Sequence, residues 1–308
     1  MANISAQDVK KLREMTGCGM MDCKNALVKS EGNFDEAIKL LREMGAAKAV
    51  KKEGRVAAEG VVDIMSDGKS AVMIEVNIET DFAAKSAPFR EFVTGLMKTV
   101  LACRPADVDA LKACIYDGTN DTVETVLQDR IGTISEKISI RRFVVVDGVV
   151  STYIHGTGET GVIVGFNADD AVAADARFAD AAKNVALQVA AMPCRYVDKA
   201  AVPAAAIEEE KNILLAQMAS DPKFANKPEK VREGIVAGKL GKFYEENCLT
   251  EQVYVKDDSM TVGKYIASVG KEIGGNVSVA SFVRFDKGEG IEKKEENFAE
   301  EIAKMVNG

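Results

Sequence analysis

The sequence predicts an α+β fold, in which a three-helix module precedes two repeated α+β subdomains with small three-stranded antiparallel sheets. Three observations predict it. Apolar residues recur at helical spacing through roughly the first 45 residues. Two hairpins, each followed by an amphipathic helix and a late strand, repeat at an offset of about 89 residues. The second repeat is longer than the first, which predicts an inserted helical hairpin before a C-terminal helix.

The first element is a bundle of three short helices within residues 1–55. Its first apolar stripe ends at Gly17 and its second at Gly32, since glycine commonly follows the last turn of a helix. Asn33 is placed to cap a third helix. We expect Gly45 to end that helix and a basic, alanine-rich linker helix, Ala46–Arg55, to follow it.

The first core subdomain, residues 56–147, begins with a hairpin. Its strands, Gly60–Ile64 and Val72–Asn77, flank an Asp-Gly turn. An amphipathic helix follows, and Ile138–Asp147 forms the last strand.

The second core subdomain, residues 148–202 and 262–287, has the same plan. Its hairpin strands are Gly148–Ile154 and Val162–Asn167, and Val277–Asp286 is its last strand.

The extra length of the second repeat lies in residues 203–261, which read as two helices folded back on each other. Residues 288–308 form a C-terminal module, whose amphipathic helix we expect at Glu292–Met305. Packing of this helix on the chain's own core and docking in a partner's groove both stay open.

Composition narrows the function classes. The 308 residues carry a net charge of −8 and a pI near 5.1, so a phosphate backbone is not favoured as a direct partner. No stretch approaches the length of a membrane span, and the start does not read as a signal peptide. We expect a cytoplasmic protein that neither enters a membrane nor binds nucleic acid directly.

The reactive side chains favour a protein that acts by binding and needs no cofactor. His155 is the single histidine, so a multi-histidine metal site is excluded, and no phosphate-binding loop motif occurs. We expect the six cysteines to be reduced thiols. Two rival classes stay open, namely an adaptor that only binds another protein and an enzyme using Glu75, Asp81 or Asp169.

Several motifs carry a resemblance to a known family. Residues 12–27 resemble the L-R-x-x-T-G-A-G-M-M-D-C-K-x-A-L opening of the elongation factor Ts family, and residues 77–85 resemble its N-x-x-T-D-F-V-A-K loop. Further matches occur in family order at Ile138–Arg142, Tyr153–Gly156, Lys239–Tyr244 and Gly288–Lys293.

The resemblance implies a guanine nucleotide exchange factor for the GTPase elongation factor Tu, without catalytic turnover of its own. It implies an N-terminal module of the ubiquitin-associated (UBA-like) type and a coiled-coil or dimerisation role for the inserted hairpin. A homodimer or a 2:2 complex with the GTPase stays open.

The resemblance also implies the residues that contact the GTPase. The exchange wedge comprises Thr80, Asp81, Phe82 and Ala83. The other contacts are Arg13, Met20, Met21, Ile134, Ser135, His155 and Gly156, with Ile131 and Gly132 as an alternative alignment for the 134–135 pair. Three residues depart from the family pattern, namely Cys18 for Ala, Ala83 for Val and Ser135 for Gly.

Two interpretations of Thr80-Asp81-Phe82 compete. Thr80 or Asp81 could cap a helix, with Phe82 packed into the core, or Phe82 could be an exposed wedge. The equivalent loop of the second repeat, Ala168–Ala171, keeps the acidic residue but has no aromatic after it. Because the fold tolerates that loop without a phenyl ring, we favour the wedge. His155 likewise reads either as a solvated turn residue or as a contact.

Overall fold

The computed structural model describes residues 4–220 and 228–292, and its N-terminal module has the three predicted helices. They are α1 (Ala6–Thr16), α2 (Met20–Lys29) and α3 (Phe34–Lys52). Gly17 ends α1 in the left-handed conformation, and the Asn33 side chain caps α3 by accepting from two backbone N–H groups. The small core of the module is formed by Val9, Leu12, Cys23, Ala26, Leu27, Ala37 and Leu41.

The prediction that Gly45 ends the third helix is wrong, because α3 runs on to Lys52. Gly45 lies where α3 crosses a helix of the first subdomain. A Cβ atom built on Gly132 of that helix would lie 2.9 Å from the Gly45 Cα, too close for any real side chain. Gly45 therefore serves close helix packing rather than a helix end.

The first subdomain contains the predicted antiparallel sheet of three strands, and its central strand is the second strand of the hairpin. Asp67 shapes the turn of its hairpin, since Oδ1 accepts hydrogen bonds from the N–H groups of Lys69 and Ser70, both at 2.8 Å. The elements of this subdomain are β1 (Glu59–Ser66), β2 (Ser70–Ile78), α4 (Asp81–Ala84), α5 (Ala87–Cys103), α6 (Val108–Ala113), α7 (Val123–Ile134) and β3 (Ile138–Asp147).

The second subdomain repeats this sheet in the order β4-β5-β8. Its elements are β4 (Val149–His155), β5 (Thr160–Ala168), α8 (Asp170–Ala173), α9 (Ala176–Ala191), β6 (Val253–Tyr254), β7 (Asp257–Thr261), α12 (Val262–Ile273) and β8 (Val277–Asp286), with α10 and α11 given below.

The repeat includes a helix that the sequence did not predict. α7 and α12 both have 12 residues and directly precede the last strand of their subdomains. Threonines cap both, Thr122 for α7 and Thr261 for α12. Both end in a left-handed residue, Ser135 at φ 64° and Gly274 at φ 94°.

The two sheets pack face to face, so the chain forms layers of helices, sheet, sheet and helices. Their interface contains Val62, Ala71 and Met73 of the first sheet against Ile163 and Phe285 of the second. Each sheet covers its other face with its own helices. This arrangement explains why every residue of the central strand β2 is buried.

The inserted segment contains two helices packed on each other, α10 (Ala204–Ser220) and α11 (Glu229–Asn247). Their contact is formed by Leu214, Met218, Val236 and Leu240, with Ile207 and Tyr244 beside them.

One part of the predicted insertion, residues 248–261, does not belong to the helical hairpin. Leu249 and Tyr254 are buried in the core of the second subdomain. Gln252 is also buried, where its Oε1 accepts a hydrogen bond from the Gln188 amide at 3.2 Å. The assignment of these residues to the insertion is therefore wrong, and the division into the other predicted ranges stays a prediction.

The expectation that all six cysteines are reduced is also wrong. Cys103, at the end of α5, forms a disulfide with Cys114, which follows α6, and their Cα atoms lie 6.7 Å apart. The loop between α5 and α6 brings these two positions together, and sequence spacing does not reveal that approach. Cys18, Cys23, Cys194 and Cys248 are free thiols.

Within the described residues, no helix is both long and apolar enough to cross a membrane. The predicted C-terminal helix lies outside those residues from position 293 onward.

Candidate functional site

Phe82 is the most exposed large apolar side chain of the described residues, with 84% of its surface accessible. It lies on the short helix α4. Thr80 caps this helix, its Oγ1 accepting from the Ala83 N–H at 3.2 Å. The helix cap predicted by the first interpretation is therefore present. The same interpretation also placed Phe82 in the core, and this part is wrong because the side chain is exposed. Ala83 is buried in the first core, so it supports α4 from below.

Asp81 is exposed beside Phe82 and forms an ion pair with Lys85 one turn later, with 2.7 Å between Oδ2 and Nζ. The hydrogen bond from Lys85 and the charge of its ammonium hold the pKa of Asp81 below its ordinary value. Asp81 is thus an anion at neutral pH whose acceptor groups face solvent.

The loop that follows α7 lies against Thr80, the N-cap of α4. Glu136 accepts hydrogen bonds from the Thr80 N–H at 2.9 Å and from the Thr80 hydroxyl at 2.8 Å. Ser135 is exposed next to this contact, while Ile134 is half-buried against the first core. The alternative pair is less accessible, because Ile131 is buried and Gly132 packs on Gly45.

The hairpin tip of the second subdomain contacts α5, the helix that follows α4, and β1. His155 is exposed at the end of β4, and its Nδ1 lies 3.1 Å from the Tyr153 hydroxyl. Arg90 of α5 donates to the Thr157 carbonyl at 2.7 Å, and the Val62 N–H donates to the Gly158 carbonyl at 2.9 Å. Both bonds join the two subdomains at this point.

Gly156 lies within this tip and has a left-handed backbone, with φ 63°. Glu159 folds back across it and accepts a hydrogen bond from the Thr157 N–H at 2.5 Å. The left-handed φ favours glycine here, and a Cβ atom would also require the Glu159 carboxylate to move.

The N-terminal module contributes exposed methionines. Met20 and Met21 begin α2 with 54% and 64% of their surfaces accessible, and Arg13 is exposed on α1. The turn between the two helices lies close to the end of α7, since a Cβ atom on Gly17 would lie 3.3 Å from the Thr133 methyl group. Met15 of α1 is exposed here as well.

Observed contacts connect the segments that carry the predicted site residues in one series. The α1–α2 turn lies by the end of α7, the residue after the α7 cap contacts the N-cap of α4, and α5, the helix that follows α4, contacts the His155 hairpin. We refer to these four segments, residues 13–21, 134–136, 80–83 and 155–159, as the candidate face. Ala83 and Ile134 support this face from beneath, and the other predicted residues are exposed on it.

Ion pairs orient the N-terminal module on the first subdomain. Arg42 of α3 lies 3.1 Å from the Asp121 carboxylate and 3.8 Å from that of Asp129. Burial raises the pKa of Asp129. A cleft of about 650 Å³ runs along this junction.

The carboxylates of the rival enzyme hypothesis have structural partners. Glu75 is fully buried, with its oxygens 2.9 Å from Arg141 and 2.7 Å from Arg142. Asp169 accepts a hydrogen bond from the Asn276 N–H at 3.0 Å. Across residues 4–220 and 228–292, no group of three or more His, Cys, Asp or Glu side chains could hold a metal ion.

Comparison with known proteins relates these features to one family. A sequence model described as Elongation factor TS matches residues 79–289. Elongation factor Ts of Clostridioides difficile is 46% identical over 310 residues, 99% of this chain and 100% of that protein. Elongation factor Ts of Syntrophotalea carbinolica is 44% identical over 306 residues, 98% of this chain and 99% of that protein. The chain therefore belongs to the elongation factor Ts family.

Proposed function

We propose that this protein binds the GTPase elongation factor Tu through the candidate face and thereby promotes release of GDP, so that GTP can rebind. Family membership supports the broader role of a nucleotide exchange factor in translation elongation. The observation that carries the more specific proposal is the exposed phenyl ring of Phe82, held on a capped helix above a packed core.

The physical requirement for such a factor is simple. A GTPase holds GDP through backbone amides of its phosphate-binding loop and through Mg²⁺. A partner accelerates release when it binds the nucleotide-free conformation more tightly, and by linkage the nucleotide weakens the partner by the same factor. No turnover of a substrate by the factor is needed.

Phe82 is suited to this role by size and position. An aromatic ring buries a large apolar area when it enters a gap between elements of a partner. Insertion therefore gains free energy only in a conformation of the GTPase that opens such a gap. Asp81 can accept hydrogen bonds from the elements that move, because its carboxylate is exposed and charged.

The other segments of the candidate face would hold the GTPase while the wedge enters. Methionines adapt to irregular apolar surfaces because their side chains are unbranched and flexible, which suits Met20 and Met21. His155 and Gly156 lie on the hairpin turn that Arg90 of α5 joins to the first subdomain. A homodimer or a 2:2 assembly with the GTPase stays a prediction.

The direct experiment is stopped-flow release of a fluorescent GDP analogue from elongation factor Tu. We expect release to accelerate with the concentration of this protein and to saturate. Titration of the protein alone with GDP and GTP should give no tight binding, since the sequence has no phosphate-binding loop motif. Unchanged release at saturating protein would contradict the proposal and favour an adaptor that binds without opening the nucleotide site.

A further inference from the structure

The strands β2 and β3 are continued beyond their last backbone pair by side chains. The ladder ends where Ile78 pairs with Ile138. At the next two steps in the same register, Glu79 accepts a hydrogen bond from the Lys137 N–H at 2.6 Å, and Glu136 accepts from the Thr80 N–H at 2.9 Å. Each strand extension therefore offers a carboxylate to the backbone of the other. We call these two crossed contacts the carboxylate clamp.

Glu136 controls the cap of α4 as well as the backbone before it. The Thr80 hydroxyl donates its hydrogen to Glu136 Oε1 at 2.8 Å. With its proton committed in that direction, the hydroxyl oxygen is left to accept from the Ala83 N–H at 3.2 Å. Hydrogen bonds to a carboxylate are stronger than those between neutral groups. The start of the helix that carries Phe82 is thus fixed at two atoms of Thr80.

The carboxylate clamp also reaches the N-terminal module. Glu79 lies 3.1 Å from the Arg55 guanidinium. The Lys137 ammonium donates to the carbonyls of Glu53 at 2.6 Å and Arg55 at 2.8 Å, just beyond the end of α3. The residues that hold Thr80 are therefore tied to the segment that leaves the module.

The second subdomain lacks this device at the corresponding place. The offsets of the repeat align Thr80 with Asp169 and Glu136 with Gly275, which has no side chain. There, Asp169 itself accepts from the Asn276 N–H, and no aromatic residue follows. The contact between Glu136 and Thr80 therefore occurs in the subdomain that carries the exposed Phe82 ring, and the second subdomain has no equivalent glutamate.

From these observations we infer that Glu136 is a positioning residue for nucleotide exchange, acting through Thr80 to hold Phe82 in the orientation that enters the partner. This inference rests on the proposed function. Both oxygens of Glu136 are engaged by Thr80 in the free protein, so its action is transmitted through the loop rather than by its own contact with the GTPase.

The test is a double-mutant cycle on the full chain. Glu136→Gln replaces the charged acceptor by an amide of the same shape, and we expect GDP release at saturating protein to slow by about 5- to 10-fold. Glu124→Gln is the matched control, because Glu124 lies in the first turn of α7, the helix that ends just before Glu136, and there it contacts Gln128 and Lys112. This control should release GDP at the unmodified rate.

The cycle separates positioning from direct contact. In a Phe82→Ala background, Glu136→Gln should slow release no further, because the ring through which it acts is absent. Additive losses would overturn the inference, as would an unchanged rate in Glu136→Gln alone. Glu136→Asp keeps the charge but shortens the side chain by one methylene group, and it should slow release as Glu136→Gln does. It replaces Glu136→Gln in the cycle if the amide variant folds poorly.

Amide hydrogen exchange of the free protein is a second test, and it does not require the GTPase. In Glu136→Gln the amides of Ala83 and Ala84 should exchange at least about tenfold faster, while those of β2 should not change. Equal protection in both proteins would overturn the inference even if the unmodified protein accelerates GDP release. Failure of the unmodified protein to accelerate release would instead refute the proposed function.

Discussion

Phe82 and Phe89 are close neighbours in sequence with opposite environments. Phe82 is exposed on α4, whereas Phe89 of α5 is fully buried in the first core. The short break at Ser86 separates the two helices and lets one ring face solvent and the other the sheet. This pair allows the role of Phe82 to be separated from general damage to the protein.

Phe82→Ala should abolish most of the exchange activity and change the free energy of unfolding by less than about 1 kcal/mol. Phe89→Ala should cost about 3–5 kcal/mol, because it leaves a cavity in the core. Thermal melts and GDP release measured on the same preparations decide between them. A large loss of stability in Phe82→Ala, with exchange intact after correction for the folded fraction, would contradict the wedge.

Ser135 occupies a left-handed backbone position that its counterpart Gly274 fills with glycine. A left-handed backbone costs a residue with a Cβ atom roughly 1–2 kcal/mol. Glycine avoids this cost but loses more conformational entropy on folding, so its net advantage is smaller. Ser135→Gly should therefore raise the free energy of unfolding by about 0.5–1 kcal/mol, and Gly274→Ser should lower it by a similar amount. Denaturant unfolding of both variants tests this, and a destabilised Ser135→Gly would count against the strain.

Most exposed residues of the candidate face could be predicted from motifs, but Glu136 could not. Its contact with Thr80 spans 56 residues of sequence, and it depends on the register of β2 against β3. The alternation of apolar residues shows which face of a strand is buried, but it does not show which residue of β2 pairs with which residue of β3. A search for polar residues that continue a ladder beyond its last pair could have found it.

At the scale of elements, the helical hairpin α10–α11 is joined to a segment that returns to the core. Asn247, the last residue of α11, accepts hydrogen bonds at its carbonyl from the N–H groups of Arg195 and Tyr196, both at 3.0 Å. Leu249 then enters the second core. The boundary between insertion and core thus lies at the end of α11.

Replacing residues 204–246 by a short Gly/Ser linker should leave a cooperatively folded protein, because the hairpin has its own apolar contacts. Replacing residues 204–261 should not, since it removes Leu249, Tyr254 and Gln252 from the second core. Circular dichroism with thermal melting compares the two deletions. An unfolded shorter deletion would show that the hairpin supports the core.

Element boundaries were predicted well where local chemistry decides them and poorly where packing does. Asn33 and Gly17 are recognisable in the sequence because capping is local. The role of Gly45 is not recognisable, because glycine at a close helix crossing and glycine at a helix end look the same in a sequence. The sequence does not place Leu249 either, because only the tertiary fold shows which core an apolar residue enters.

At the scale of the whole molecule, the sheet interface makes one unit of the two subdomains. Gly161 shows how closely the sheets approach, since a Cβ atom there would lie 2.5 Å from a Val62 methyl group and 2.8 Å from the Met73 sulfur. The face-to-face packing was not predicted, because the apolar pattern of a strand buried on both sides does not identify its neighbours.

Ile163→Ala, at the centre of this interface, should lower the free energy of unfolding by about 2–5 kcal/mol. Protection of amides should fall in both sheets together, because neither sheet buries this face alone. Ile213→Ala on the exposed side of α10 is the control and should change stability by less than about 1 kcal/mol. Loss of protection confined to the second sheet would show that the subdomains unfold separately.

The same packing bears on how such a chain could arise. A single ancestral unit, one sheet with its helices, would expose the apolar face that now covers its twin. It would bury that face by pairing with a second copy of itself, in the symmetric manner usual for homodimers. Duplication and fusion of its gene would make this pairing intramolecular. Each copy could then diverge, so that one kept an aromatic residue after its middle strand and the other gained a helical insertion.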